Sequence, residues 1–293
     1  MRRRLDAELV RRGLAESRTQ ARQLIEQGRV RVGGAHATKA ARQVDAGEAL
    51  LVEGEGPRFV GRGGEKLAAA LTAFELDPSG ARALDAGAST GGFTDVLLQH
   101  GAASVLALDV GHGQLHERLR HDDRVEVLER TNLRHVAPEV LGPFDVVVAD
   151  LSFISLTVVM DVLVRCTADR GWLVLLVKPQ FEAGRREVSR GRGVVSDPGE
   201  WVAALERVAV AAAESGATPV DVAVSPLRGA DGNVELLLHL RPDGHGSGAV
   251  AVGTDEVRDR AIAALGAAGL PTPASEVDQD TLDESARSTG AAS

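Results

Sequence analysis

The stretch "ALDAGASTGGFTDVLLQHGAASVLALDVG", residues 83–111, changes its periodicity twice. An apolar strand runs into a glycine-rich turn, the helical segment "GFTDVLLQHG" follows, and a second apolar strand, "ASVLALDV", ends on Asp109. Strand, turn, helix and strand in that order form one crossover of a parallel sheet. Glycines at 87, 91 and 92 permit positive φ and a close backbone approach to a ligand. Asp109 comes 22 residues after Gly87, where an acid at a strand end can hydrogen-bond a pair of ribose hydroxyls. The turn lacks both the G-x-G-x-x-G spacing of dinucleotide sites and the Gly-Lys-Ser/Thr of a phosphate loop. What remains is a nucleoside cofactor held at the carboxyl edge of a doubly wound sheet.

The same alternation continues on both sides. "ARALDAG", "ASVLALDV", "RVEVLER", "FDVVVADLSF", "GWLVLLVK", "TPVDVAVSPL" and "GNVELLLHLR" read as seven strands separated by helical segments. The last two are expected to form an antiparallel pair. Near-continuous apolar strands imply a mostly parallel α/β sheet covered by helices on both faces, the Rossmann-like class. Upstream, residues 3–27 show helical periodicity in two pieces, the second starting at Ser17 as N-cap and closed by Gly28. "RVRVGG" and "EALLVEG" add short strands to this small α/β unit. The expected division is an N-terminal domain over 1–58, a linker over 59–64, a catalytic domain over 65–242 and a low-complexity tail over 243–293, disordered but for a short helix near 255–265.

Composition sets limits on function. With 44% hydrophobic and 26% charged residues the chain is an ordinary globular protein. It has one cysteine, Cys166, so no internal disulfide forms. No apolar run approaches the ~20 residues of a membrane span, and no apolar segment of a signal peptide follows the basic start, which predicts a cytoplasmic protein. The net charge of −9 is uneven: residues 1–42 hold 11 Lys+Arg against four acids, so the head is at +7 and the remainder at −16. A compact basic head on an acidic body predicts docking to a polyanion. Arginine dominates it, and its planar fork suits phosphate.

Charged residues also stand where the apolar strands end. "VVVADLSF" delivers Asp150, "WLVLLVKPQFE" delivers Lys178, and "GNVELLL" carries Glu235 near its start. Lys66 lies in the helix start "GGEKL" before the first strand. Pro179 stops its strand and fixes where Lys178 emerges. There is no Cys/His cluster of zinc-binding spacing, and no metal is expected.

These residues carry a resemblance. The turn D-x-G-x-x-x-G-G is similar to the S-adenosylmethionine signature of Rossmann-like methyltransferases. Lys66–Asp150–Lys178–Glu235 resembles the K-D-K-E tetrad of FtsJ-type ribose 2′-O-methyltransferases, and "SRTQARQLIEQGRVRVGG" resembles an S4 RNA-binding domain. With "VADLSFISL", "VKPQFE" and "GNVE", residues 1–241 resemble the TlyA (haemolysin A) family. The resemblance implies a ribosomal RNA cytidine-2′-O-methyltransferase, its long basic extension like that of members acting on both 16S and 23S rRNA. It implies catalysis by Lys66, Asp150, Lys178 and Glu235. S-adenosylmethionine would be held by Asp85, Gly87, Ala88, Ser89, Thr90, Gly91, Gly92, Phe93, Asp109, Asn132 and Asp150. RNA would be bound by Arg3, Arg4, Arg11, Arg18, Arg22, Arg29 and Arg31, by a chain that is monomeric off the ribosome. Ser152 and Phe153 are candidates to line the cofactor or a flipped nucleotide. One departure is "PRFVGRGGEK", where family members carry a tryptophan and an alanine-histidine before the lysine.

Three rivals differ in class. A small-molecule methyltransferase gives no reason for two lysines in the site or for the S4-like head. A membrane-lytic protein needs a basic amphipathic stretch that the sequence lacks, and the acidic body would be repelled by anionic lipid. A non-catalytic RNA binder would not need the tetrad.

Overall fold

The computed structural model describes residues 2–15, 18–54, 58–182, 193–229, 231–243 and 253–273. It divides into two compact units, residues 1–58 and 59–293.

The first unit contains β1 (Arg3–Arg4), α1 (Leu5–Arg11), α2 (Arg18–Glu26), β2 (Val30–Val32), β3 (Ala35–His36), β4 (Gln43–Val44) and β5 (Leu50–Val52). β2 lies between β3 and β5, and β1 pairs with β4, all antiparallel. Leu5, Leu9, Ala21, Ile25, Val30 and Val44 fill its core. The expectation of helix from residue 3 is corrected: Arg3 and Arg4 are strand, paired with Val44 and Gln43. Gly28 ends α2 at φ +70°, where Arg29 N–H returns to the Leu24 carbonyl at 2.9 Å. The expected N-cap Ser17 lies outside the described residues.

The second unit runs α3 (Gly63–Ala73), β6 (Arg82–Ala86), α4 (Gly92–Gln99), β7 (Ser104–Leu108), α5 (Glu117–Arg120), β8 (Val125–Leu128), α6 (Pro138–Leu141), β9 (Phe144–Ala149), α7 (Met160–Arg165), β10 (Thr167–Val177), α8 (Pro179–Glu182), α9 (Pro198–Glu214), β11 (Ala217–Val224), β12 (Leu236–Pro242) and α10 (Thr254–Ala267). The sheet order is β11-β12-β10-β9-β6-β7-β8, with β12 antiparallel to both neighbours and the other pairings parallel. β10 shows why the sheet needs helices on both faces. Leu173, Leu175 and Val177 point into one core with α7, α9 and α10, while Val174 and Leu176 point into the other with α3 and α4. Asp197 caps α9 by accepting from Gly199 N–H at 2.9 Å, Pro198 opens the first turn, and the helix runs about 25 Å along the sheet.

Two expectations change. Phe59 and Val60, read as linker, are each 2% exposed in the core of the second unit, and Val60 N–H donates to the buried Asp95 carboxylate at 2.7 Å. The helix expected near 255–265 forms as α10, but it belongs to the core and not to a low-complexity tail, because it buries Val257, Ala261 and Leu265 completely. Those residues repeat at i, i+4 and i+8, one face of a helix, and pack against β11 and α9.

Candidate active site

The carboxyl ends of β6, β9 and β10 meet the start of β12 at one edge of the sheet, and four charged groups converge there. The antiparallel register sets Val177 opposite Leu236, so Lys178 and Glu235 leave the sheet side by side. The parallel register puts Asp150 just past the Ala149–Leu175 pair. Lys178 Nζ lies 2.5 Å from Asp150 Oδ1 and donates to Ser152 Oγ at 3.0 Å. Lys66, on the first turns of α3, donates to Glu235 Oε2 at 2.5 Å and lies 4.0 Å from Asp150 Oδ2. The four groups form a chain of alternating charge, Lys178–Asp150–Lys66–Glu235. Its ends are shielded: the Lys178 side chain is 9% exposed and that of Glu235 2%. An ammonium carries three N–H donors, one more than Asp150 and Ser152 use on Lys178.

Two cavities adjoin this chain. The first, about 410 Å³, is lined by all four charged residues, by Ala88, Thr90, Gly92 and Phe93, and by Arg62, Phe153, Phe181 and Arg228. The second, about 630 Å³, is lined by Asp109, Asn132 and Gln114 and by the apolar Leu108, Val110, Leu133, Ile154 and Val159. Gly87, Ser89, Asp150, Ser152 and Phe153 line both, so the Asp150 carboxylate stands where the cavities join. Phe153 is 93% exposed, holds φ +65° and stands 5.5 Å from the Phe181 ring. A bulky residue with positive φ that covers no core is a strained position worth a functional reading.

The second cavity pairs a fixed acid with apolar walls. Asp109 accepts from Ser89 N–H at 2.8 Å and Gly111 N–H at 2.6 Å, which fixes a carboxylate at a strand end between apolar walls. Asn132 faces the same space while its Oδ1 accepts from Arg134 N–H at 3.0 Å.

Asp85 and Gly91, expected to hold the cofactor, line neither cavity. Asp85 is fully buried behind the turn, where Thr94 Oγ1 donates to Oδ2 at 2.6 Å and Oδ1 has no partner among the described residues. Burial pushes its carboxyl up to about 7. The glycines also let the protein pack against itself. A Cβ on Gly87, at φ +86°, would meet the Asp150 backbone oxygen at 2.6 Å. One on Gly91 would strike Leu119 and Leu115, and one on Gly92 would sit 2.8 Å from Gly64 N. The turn is glycine-rich because the protein packs against itself there.

Sequence reasoning missed Phe181 and Arg62, although Phe181 follows Lys178 by one helical turn in "KPQFE". It also missed Glu182, whose carboxylate accepts from Ser155 Oγ at 2.5 Å and Leu156 N–H at 2.8 Å. That acid ties the loop carrying Ser152 and Phe153 to the segment carrying Lys178.

The arginines of the basic head are in their own unit. Arg3 is exposed, Arg4, Arg18 and Arg22 surround Asp6, Arg11 pairs with Glu8, and Arg31 pairs with Glu53. Arg29 Nε donates to the Glu53 carbonyl at 2.8 Å.

A seven-stranded sheet with one antiparallel strand and a cavity lined by a strand-end acid beside a Lys-Asp-Lys-Glu chain defines a Rossmann-like methyltransferase. The FtsJ-like methyltransferase profile matches residues 59–242, and the S4 domain profile matches residues 3–50. A Mycobacterium tuberculosis protein named 16S/23S rRNA (cytidine-2′-O)-methyltransferase TlyA is 54% identical over 240 residues, 81% of this chain and 89% of that one. Hemolysin A of Brachyspira hyodysenteriae is 38% identical over 81% of this chain and 99% of its own. A solved structure from Streptococcus thermophilus, described as a candidate hemolysin, superposes with a TM-score of 0.68 at 37% identity, covering 90% of this chain and 95% of that one. The chain belongs to the FtsJ-like methyltransferase family, in its TlyA (haemolysin A) branch with an N-terminal S4 domain.

Proposed function

We propose that the chain transfers a methyl group from S-adenosylmethionine to the ribose 2′-hydroxyl of cytidine in ribosomal RNA, 16S and 23S alike, with the S4 unit docking the RNA. The observation that carries this reading is Lys178 held 2.5 Å from Asp150 where the two cavities join. The Mycobacterium tuberculosis relative, named for that reaction, supports the substrate.

The larger cavity takes the cofactor, with Asp109 on the ribose hydroxyls and the apolar side chains around the adenine. When bound, S-adenosylmethionine supplies an electrophilic methyl carbon and takes back the electron pair of the broken carbon–sulfur bond. The smaller cavity takes the target nucleotide. Methyl transfer is an in-line displacement, so the main demand on the protein is position. Lys178 presents an N–H to the 2′-oxygen and aims it toward the shared wall, and Asp150 fixes Lys178. As the oxygen forms its new bond to carbon, its proton passes through Lys178, which hands one of its own protons to the Asp150 carboxylate as it takes the other. Lys66 and Glu235 keep Asp150 in place from the other side. Stacking supplies the remaining purchase on RNA: a 2′-hydroxyl in structured RNA is reached by splaying out its nucleotide, and Phe153 offers the base an exposed ring. The location that fits is the cytoplasm, with the ribosomal subunit as partner and the chain a monomer away from it.

The test is methyl incorporation from labelled S-adenosylmethionine into ribosomal subunits from cells lacking this protein, followed by mapping of the product. The expected product is 2′-O-methylcytidine in both subunits. Label on a base, or none on RNA while small hydroxylated compounds are methylated, would overturn the reading.

A further inference from the structure

A surface meant for RNA gains nothing, by charge counting, from an acid. Yet the basic unit keeps two carboxylates out of solvent directly beneath its arginines: Asp6 is 0% exposed and Glu8 1%. Asp6 gathers three arginines from two elements. Arg4, at the end of β1, donates Nε at 3.1 Å and Nη2 at 2.9 Å. Arg18 and Arg22, one turn apart on a face of α2, donate Nη2 at 3.0 Å and Nε at 3.4 Å. Ala7 N–H also donates to Asp6 Oδ1 at 2.9 Å, which ties the carboxylate to α1. The guanidiniums hold the Asp6 carboxyl well below the ordinary range. Their side chains stay 41, 52 and 53% exposed, so the cluster is a buried −1 under an outward +3.

Glu8 is arranged differently. It pairs with Arg11 and Arg12, and Arg12 then spends its Nη groups on the carbonyls of Glu48 at 2.8 Å and Ala46 at 2.9 Å. Arg12 is therefore a strut of the fold. No comparable backbone tie holds Arg4, Arg18 and Arg22 among the described residues; Asp6 is what brings them together.

Arginine loses rotamer freedom when fixed, and three like charges repel one another. A central carboxylate offsets both before RNA arrives, which is how preorganisation raises affinity. We propose that Asp6 is a positioning residue for RNA, a buried carboxylate that sets Arg4, Arg18 and Arg22 as one fan of N–H donors to adjacent backbone phosphates. This rests on the RNA-docking reading above. Its consequence runs against charge counting: removing the acid weakens binding to a polyanion.

The experiment measures affinity of the full chain for purified ribosomal subunits across a salt series, for the unmodified chain, Asp6→Asn, the double variant Arg18→Ala/Arg22→Ala, and the triple combination. Asp6→Asn is expected to bind about 5–10-fold more weakly and to lower the slope of log affinity against log salt by about one to two. In the Arg18→Ala/Arg22→Ala background the same change is expected to have less than about a 2-fold effect, because groups acting as one unit are not additive. Unchanged or tighter binding by Asp6→Asn overturns the proposal. So does an equal loss in both backgrounds, which would mean that Asp6 acts only through folding. Absence of salt-dependent binding by the unmodified chain overturns the RNA-docking reading and the role of Asp6 with it.

Discussion

Both units bury carboxylates beside cations, in different ratios. In the active site of the sheet unit each carboxylate has a lysine within 2.5 Å, Asp150 with Lys178 and Glu235 with Lys66, and the four charges sum to zero. In the basic unit Asp6 lies under three arginines and the sum is +2. A balanced chain can hold a small neutral group and move a proton within itself without attracting an ion. An unbalanced cluster of cations that do not titrate near neutrality cannot do acid–base chemistry, but it keeps a standing attraction for phosphate. Lysine in the first place and arginine in the second follow from that division.

The division is easiest to break at Lys178. Lys178→Ala is expected to lower methyl transfer by at least about 10³-fold, on the order of 4 kcal/mol of barrier, while affinity for ribosomal subunits stays within about 3-fold. Single-turnover assays alongside binding titrations check this. Retained turnover would remove Lys178 from the reaction, and a parallel loss of binding would erase the distinction between the units.

A second prediction concerns an acid with no cation at all. Burial raises the Asp85 carboxyl from 3.8 to about 7, so the folded chain takes up a proton that the unfolded chain releases between those values. Stability from this group is therefore full below about pH 4 and falls as pH rises toward 7, by on the order of 2–4 kcal/mol. Asp85→Asn is neutral at every pH and is expected to remove that fall, leaving the variant more stable than the natural chain at pH 8. Denaturant midpoints at several pH values read the difference. A natural chain with no such slope would show that Asp85 stays ionised behind the turn.

Glu235→Gln perturbs the balanced chain at its far end. It keeps an acceptor for Lys66 but removes the charge, and is expected to slow methyl transfer about 30-fold, about 2 kcal/mol. Cofactor affinity should be unchanged, because Glu235 does not line the larger cavity. Calorimetry with S-adenosylhomocysteine beside turnover assays separates the two.

The balanced site was legible in the sequence because each of its residues ends or begins an apolar run, and parallel strands end at one edge. Asp150 follows "VVVA", Lys178 follows "WLVLLV" and Glu235 precedes "LLLHL". What stayed hidden depends on partners distant in sequence. Phe59 and Val60 sit in a glycine-rich run that reads as linker, and only Asp95 in α4 shows them to be core. Val257, Ala261 and Leu265 are spaced for a helix face, but they lie among alanines and acids, so nothing local announces the groove between β11 and α9. The positive φ of the turn's glycines is legible at Gly87 and Gly91, but their second reason is not, since the 2.6 Å that would separate a Cβ on Gly87 from the Asp150 backbone oxygen exists only after folding.

The smallest expected effect separates two arginines by the acids that hold them. Arg12 and Arg18 belong to the same basic head, but Arg12 has a 21% exposed side chain and gives its N–H groups to Glu8 and to backbone carbonyls. Arg18 is 52% exposed and is held at one nitrogen by Asp6. Arg18→Ala is therefore expected to weaken subunit binding about 5-fold, about 1 kcal/mol, and to reduce the salt slope by about one. Its melting curve should hardly move. Arg12→Ala should do the reverse, destabilising the unit by about 1–2 kcal/mol through the carbonyls it leaves unpaired while preserving the salt slope. Equal salt slopes for the two variants would mean that the acids beneath the basic face do not sort its arginines into struts and phosphate ligands.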